Sequence, residues 1–429
     1  MSSLSALFVI AVATVAALRL WLLARQSRAV SSHRSTVPAP FAERISPAEH
    51  SKAADYTLAN ARLARVSIII DSLVTLALTV GGGIALIDRF WAARTGWREP
   101  WIGGAVILSI VVLNAVFELP VSLWRTFQIE ARFGFNRMTA RLFCADLAKS
   151  ALLGLLIGGP VVIAALLLMQ RAGELWWLWA WSGWLLLTLL MSWAWPVLIA
   201  PLFNRFTHLE DPNLRQRIEA LLARCGFSTK GVFVVDGSRR SAHGNAYFTG
   251  LGRNKRIVFF DTLLKQLEGG EVEAVLAHEL GHFRLKHVRK RLMVSVVVSF
   301  GALALLGWLA GQRLFYGSLG VPTPSPHAAL LLFALVVPVV TFLATPLASM
   351  WSRRHEFEAD AFAAQYSSAR ALASALTKLY RDNATTLTPD ELYSTFYYSH
   401  PPALERIARL RQLQSAAQVP DSPAPVGAG

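Results

Sequence analysis

Leu175–Ala200 reads LWWLWAWSGWLLLTLLMSWAWPVLIA, 26 residues without a charged side chain. A helix rises 1.5 Å per residue, and the hydrocarbon core of a bilayer is about 30 Å thick. This stretch therefore crosses a membrane with residues to spare. It also carries seven of the chain's fourteen tryptophans, a residue that collects at membrane–water interfaces. Outward from it, six more apolar runs of spanning length appear. They are Leu4–Ala24, Val66–Ile87, Trp101–Leu119, Ala151–Met169, Leu292–Ala310 and Ala328–Met350. The first lacks a basic n-region, so it reads as a retained anchor rather than a cleaved leader.

Composition agrees. The 429 residues are 54% hydrophobic and only 16% charged, against about 25% charged in soluble domains. Two cysteines, Cys144 and Cys225, exclude a disulfide scaffold and a cysteine zinc cluster. The net charge of +15 raises the question of nucleic acid, and the distribution of charge answers it. Seven spans with the N-terminus outside put 25–65, 120–150, 201–291 and 351–429 on the cytoplasmic side. Those segments hold 36 of the 42 Lys and Arg. This is the positive-inside bias of a membrane protein, and no nucleic-acid partner is expected. Within the spans, Asp71 and Glu118 are the exceptional acids. Each reads either as a functional carboxylate facing a cavity or partner, or as a bundle-internal hydrogen bond or an interfacial position.

The expected organisation follows. Residues 1–200 hold helices 1–5 with cytoplasmic loops, 201–291 a soluble segment, 292–350 helices 6 and 7, 351–416 a helical segment, and 417–429 a disordered tail. In the soluble segment Asp211-Pro212-Asn213 starts a helix over Leu214–Cys225. Gly231–Asp236, Ala246–Thr249 and Arg256–Phe260 read as strands, the last two joined by a turn at Gly250–Asn254. A further helix runs from Glu271 to about Lys290. In the last segment helices are expected at Glu356–Tyr366, Ala371–Tyr380 and Leu404–Ala416. The fold class is thus a predominantly α, seven-helix membrane bundle with a cytoplasmic-side domain containing a small sheet.

The helix after Gly270 contains His278-Glu279-Leu280-Gly281-His282. Positions i and i+4 share a helical face, so His278 and His282 can grip one metal ion. Glu279 beside them suits a general base toward water. Bound zinc would supply hydroxide at neutral pH and polarise a scissile carbonyl. A catalytic site of this type takes a third protein ligand. The position six beyond His282 is Val288, which excludes a third histidine there, and His287 is one short and points elsewhere on a continuous helix. A downstream acid is the alternative. Glu356 and Asp360 share one helical face, which makes Glu356 a candidate ligand and Asp360 its partner, orienting a ligand histidine. Glu358 faces elsewhere. Two spans separate His282 from Glu356, so both lie at the same membrane face.

These residues, with Phe133-Gly134-Phe135-Asn136, Ala200-Pro201-Leu202-Phe203-Asn204, Gly237–Ser241, Asn245-Ala246-Tyr247-Phe248 and Ser399-His400-Pro401-Pro402 with Glu405-Arg406, give a chain that resembles integral-membrane zinc metallopeptidases of the CAAX prenyl protease 1 type. The resemblance covers most of the chain. It implies seven helices around an intramembrane chamber and one zinc ion on His278, His282 and Glu356, with Glu279 as base. It also implies that Asn245, Ala246, Tyr247 and Phe248 hold a peptide as an added strand. His400 and Arg406 then bind substrate or stabilise the tetrahedral intermediate. From the residues alone, His400 sits in a loop between helices and Arg406 can equally pair with a nearby acid. The high ratio of Arg to Lys and the short polar insertions look bacterial, pointing to the inner membrane. The expected substrate is a prenylated CAAX-like peptide or a membrane protein in quality control. A transporter or scaffold with a structural zinc site is the competing function.

Overall fold

The computed structural model describes residues 2–227, 231–249 and 256–418. In chain order the main helices are α1 (Ser3–Ser32), α2 (Pro47–Leu78), α3 (Gly83–Arg94), α4 (Trp101–Glu130), α5 (Ala140–Arg171), α6 (Gly173–Phe203), α7 (Pro212–Arg224), α8 (Gly269–Arg284), α9 (His287–Ala310), α10 (Pro326–Tyr366), α11 (Ala369–Asp382) and α12 (Ala403–Gln418). Six of these, α1, α4, α5, α6, α9 and α10, are long and apolar enough to cross a membrane, and the bent pair α2–α3 makes up to seven. The protein is a multi-pass membrane protein.

The second expected span, Val66–Ile87, is not one straight helix. α2 ends at Leu78, α3 begins at Gly83, and the two meet at a 54° bend. Gly81-Gly82-Gly83 lies at the break, and Gly82 adopts φ 75°, a left-handed conformation that costs glycine little. The other spans run longer than their apolar cores. α4 continues past Pro120 into a π-helical stretch at Arg125–Glu130, and α10 passes through a short 3₁₀ turn at Phe342–Ala344 before continuing into the polar residues up to Tyr366. The helix expected at Glu356–Tyr366 is therefore the end of the seventh span.

The chain divides into two compact units. The first comprises 1–24, 59–194 and 291–345. Its core joins Phe8, Leu78, Ile84, Val106, Leu306 and Leu332. Large apolar side chains elsewhere on it are open, such as Leu186 and Val297 at 69% exposure each, as lipid-facing positions require. Asp71 and Glu118 line one cavity of about 600 Å³ in this unit, beside Asn114, Ser122 and Arg125.

The second unit comprises 25–58, 195–290 and 346–429. Its four-stranded sheet has the order β1-β2-β4-β3, with β1 Phe206–His208, β2 Val232–Val235, β3 Ala246–Thr249 and β4 Arg256–Phe260. β2 and β4 are parallel, and β1 and β3 pair antiparallel at the two edges. β1 escapes the sequence reading because three residues are too few for an alternating pattern to register. The expected turn at Gly250–Asn254 and the tail from 419 lie outside the described residues, and α12 reaches Gln418. One face of the sheet packs on α7, α8, α11 and α12 through Ile218, Leu221, Ile257, Phe259, Leu276, Leu280, Leu372 and Ile407, with Phe41 from the N-terminal segment.

Candidate metal centre

α8 is started by a capping box, in which Glu268 accepts from the Glu271 amide and the Glu271 carboxylate accepts from the Glu268 amide. Burial favours the neutral form of Glu271. Hydrogen bonds from Lys378, Ser374 and the Glu268 amide outweigh it and hold this carboxyl below its usual range. From that anchored end, α8 runs through the core and delivers His278 and His282 on one face. α10 lies against it at Gly281. A Cβ built on Gly281 would stand 3.1 Å from the Ala359 Cα and 3.1 Å from the Phe362 Cβ. The glycine thus permits a close approach that brings Glu356 to the two histidines.

The distances define the cluster. His278 Nε2 is 3.2 Å from His282 Nε2 and 3.4 Å from Glu356 Oε2, and His282 Nε2 is 3.3 Å from Glu356 Oε1. His278 and Glu356 are buried and His282 is half-buried. On the far side of its ring, His278 Nδ1 is 2.8 Å from Asp360 Oδ1. A carboxylate only accepts, so Nδ1 carries the proton and the Nε2 lone pair is turned into the cluster. Lone pairs from two histidines and a carboxylate then converge on one point. This donor set, two nitrogens and one oxygen, fits a divalent metal and is one that zinc favours. Burial and the Arg406 charge push the His278 imidazole down. Hydrogen bonds to Asp360 and Glu356 overcome both and lift it to about 9, so a proton competes for the position a cation takes.

Glu279 is half-buried on the next position of α8. Its carboxylate makes no ion pair or hydrogen bond among the described residues, unlike Glu356, Glu358 and Asp360. His400 is largely exposed, with Nδ1 donating to Glu356 Oε2 at 2.7 Å. Arg406 reaches the cluster itself, with Nη2 3.3 Å from His278 Nε2 and 3.8 Å from Glu356 Oε2. It is buried, and its Nε and Nη2 donate to the two oxygens of Asp360 at 2.7 Å each. The pairing with an acid, one of the two expected readings of Arg406, is present and steadies the acid that orients His278. The sheet edge formed by β3 carries Ala246 and Tyr247, both half-buried, directly after the exposed Asn245. The side chain of Phe248 lies outside the described residues.

Two neighbours went unrecognised. α8 does not continue to Lys290. It ends at Arg284, Lys286 adopts φ 60°, and α9 starts at His287. The reversal swings His287 back onto His282, with Nδ1 to Nδ1 at 3.0 Å. Lysine is not a residue that announces a left-handed turn, so no local signal marked the break. Glu358, set aside as facing away, meets His287 Nε2 at 3.0 Å.

A helix bearing H-E-x-x-H, a third acid on a packed partner helix and a multi-pass apolar frame together define a membrane-embedded metallopeptidase. Residues 26–205 match the family described as CAAX prenyl protease N-terminal, five membrane helices, and residues 208–414 match peptidase family M48. The chain is 38% identical over 302 residues to a CAAX prenyl protease 1 homolog of Arabidopsis thaliana, covering 70% of this chain and 71% of the relative. It is 32% identical over 442 residues to one from Caenorhabditis elegans, covering 96% and 99%. The crystal structure of S. mikatae Ste24p superposes with a TM-score of 0.89 at 28% identity, over 96% of this chain and 99% of that one. The chain belongs to the CAAX prenyl protease 1 family of membrane metallopeptidases.

Proposed function

We propose that this metallopeptidase uses a single zinc ion held by His278, His282 and Glu356, and that it cleaves peptides carrying a lipid near the C-terminus. The observation that carries the metal reading is the convergence of three electron-pair donors within 4.8 Å of one another. The lipidated substrate rests on the names of the relatives, which are prenyl proteases. When bound, zinc supplies a Lewis acid for the scissile carbonyl and acidifies water. Glu279 takes the proton of the attacking water and delivers it to the leaving amine nitrogen. His400 uses Nδ1 on Glu356, leaving Nε2 for the substrate oxygen. Asp360 and Arg406 hold His278 in the required tautomer. The substrate backbone pairs with the outer edge of β3 at Asn245–Phe248, which extends the sheet by one strand.

The positive-inside distribution supports a cytoplasmic side for this centre, and the Arg-rich composition supports a bacterial inner membrane. The test uses protein purified in detergent beside Glu279→Ala, with metal content determined on both and with a prenylated peptide, its unprenylated form and an unfolded protein as substrates. Cleavage of the prenylated peptide alone, lost in the variant while about one zinc per chain remains, supports the full reading. Equal cleavage of all three substrates overturns the lipid requirement and leaves the peptidase reading intact. Zinc without cleavage of any substrate favours a structural metal.

A further inference from the structure

A hydrogen-bonded chain leads away from the metal ligands. His282 Nδ1 meets His287 Nδ1 at 3.0 Å, and His287 Nε2 meets Glu358 Oε2 at 3.0 Å. The carboxylate accepts, so His287 Nε2 carries a proton. Its Nδ1 then presents a lone pair, and the contact requires His282 to donate from Nδ1. His282 is thereby fixed in the one neutral tautomer whose Nε2 lone pair faces His278 and Glu356. The far end of the chain is also held. The His287 ring is buried and stacked on His355, with centroids 4.0 Å apart and planes 14° apart. Arg354 Nε donates to Glu358 Oε1 at 3.1 Å.

We propose that His287 and Glu358 are positioning residues that set the tautomer and orientation of His282. They do for this ligand what Asp360 does for His278. The proposal rests on the metal reading above. It needs two residues where His278 needs one, because α10 presents Asp360 to His278 directly, whereas Glu358 reaches His282 only through the imidazole inserted by the reversal at Lys286.

The same atoms suggest a second metal ion, since His287, His355 and Glu358 each offer a ligand atom within 4.8 Å of the others. Proton accounting argues against it. A metal on His287 Nε2 evicts the proton given to Glu358 and reverses the donation to His282. The His282 proton then moves to Nε2, where the first metal must bind. A metal on His287 Nδ1 removes the acceptor of the His282 proton outright. Two ions compete where a relay and one ion cooperate.

The test measures affinity for Zn²⁺ and Co²⁺ by competition with a chromophoric chelator, the number of ions bound, and the visible spectrum of the Co²⁺ form, in the full-length protein. The variants are H287L, H287Q and E358A. Outer partners of ligand histidines are typically worth about 10–100-fold in metal affinity. H287L is expected to lose that much and to shift the Co²⁺ spectrum. H287Q, which can accept from His282 and donate to Glu358, is expected to recover most of it. E358A, a truncation at a half-exposed side chain, tests the chain without threatening the core and is expected to lose affinity severalfold. Wild-type affinity in both H287L and E358A overturns the relay. So does an H287Q as weak as H287L, which reduces His287 to packing. Two ions bound in the wild type, one of them lost in E358A, overturns it in favour of the second site. A wild type that binds no metal strikes the reading of the primary centre instead, which keeps the two failures distinct.

Discussion

Replacing Gly281 with alanine adds one methyl group where α8 touches α10. The new Cβ would meet the Ala359 Cα at 3.1 Å, the Phe362 Cβ at 3.1 Å and the Ala359 carbonyl oxygen at 3.2 Å. Carbon atoms prefer separations of about 3.5–4.0 Å, and none of these neighbours is the end of a flexible side chain. Relief therefore requires α10 to retreat by about 0.5 Å. Overpacking of this kind costs about 1–3 kcal/mol. Alanine returns up to about 1 kcal/mol over glycine in a helix interior. The net expectation is a loss of about 1 kcal/mol, measured by denaturation with excess chelator so that metal binding does not enter. The functional effect is larger in proportion. Glu356 sits one turn before Ala359, and a functional constellation tolerates about 0.5 Å of displacement. Zinc affinity, read by chelator competition, is expected to fall about tenfold. A variant with stability unchanged to within about 0.5 kcal/mol and affinity unchanged to within twofold would falsify the claim that this glycine sets the approach of the two helices.

Glu279→Gln is expected to keep its metal and lose activity by about 10²–10⁴-fold, checked by metal content and peptide cleavage on one preparation. Asp360→Ala strands a buried guanidinium and is expected to cost about 3–5 kcal/mol, while Arg406→Ala with Asp360→Ala together costs less than the sum, as a double-mutant cycle will show. Glu271 carries a depressed carboxyl pKa, so its contribution to stability is present at neutral pH and is lost as pH falls through its folded value, below the ordinary carboxylate range. Stability of the wild type and Glu271→Gln should therefore differ at pH 7 and converge in acid, and a constant gap across that range counts against the capping network. Treatment with a strong chelator should abolish cleavage, and added Zn²⁺ should restore it.

The membrane helices were legible because a bilayer imposes a length and a polarity that any window of sequence reveals. Their breaks were less so. Gly81-Gly82-Gly83 is visible as a weak point, but the 54° bend depends on what the two helices pack against. In the centre, His278, His282 and Glu356 follow from helical periodicity and a chemical pattern, both local. Arg406 was readable as a cation and not as a buried one, since its partner Asp360 lies 46 residues away. A continuous helix through Lys290 points His287 away from the centre. A left-handed lysine, which local preference disfavours, changed both its direction and its meaning.

The arrangement of the centre reduces to the register between two helices. α8 supplies both histidines, and five residues of α10 supply Glu356, Glu358 and Asp360. A helix advances about 100° per residue, so alternate acids on α10 point to different places. Asp360 returns to the side of Glu356 and takes His278, while Glu358 diverges and is recovered only through His287. A shift of α10 by one residue would withdraw the third ligand and both outer carboxylates together. The Gly281–Ala359 contact resists that shift, because no other position in H-E-L-G-H lacks a side chain. The metal ligands and the groups that orient them are thus under one constraint. A perturbation of the contact and a perturbation of the relay both act by moving His282 relative to Glu356, so their effects on metal affinity belong to a single coupled system and not to two independent sites.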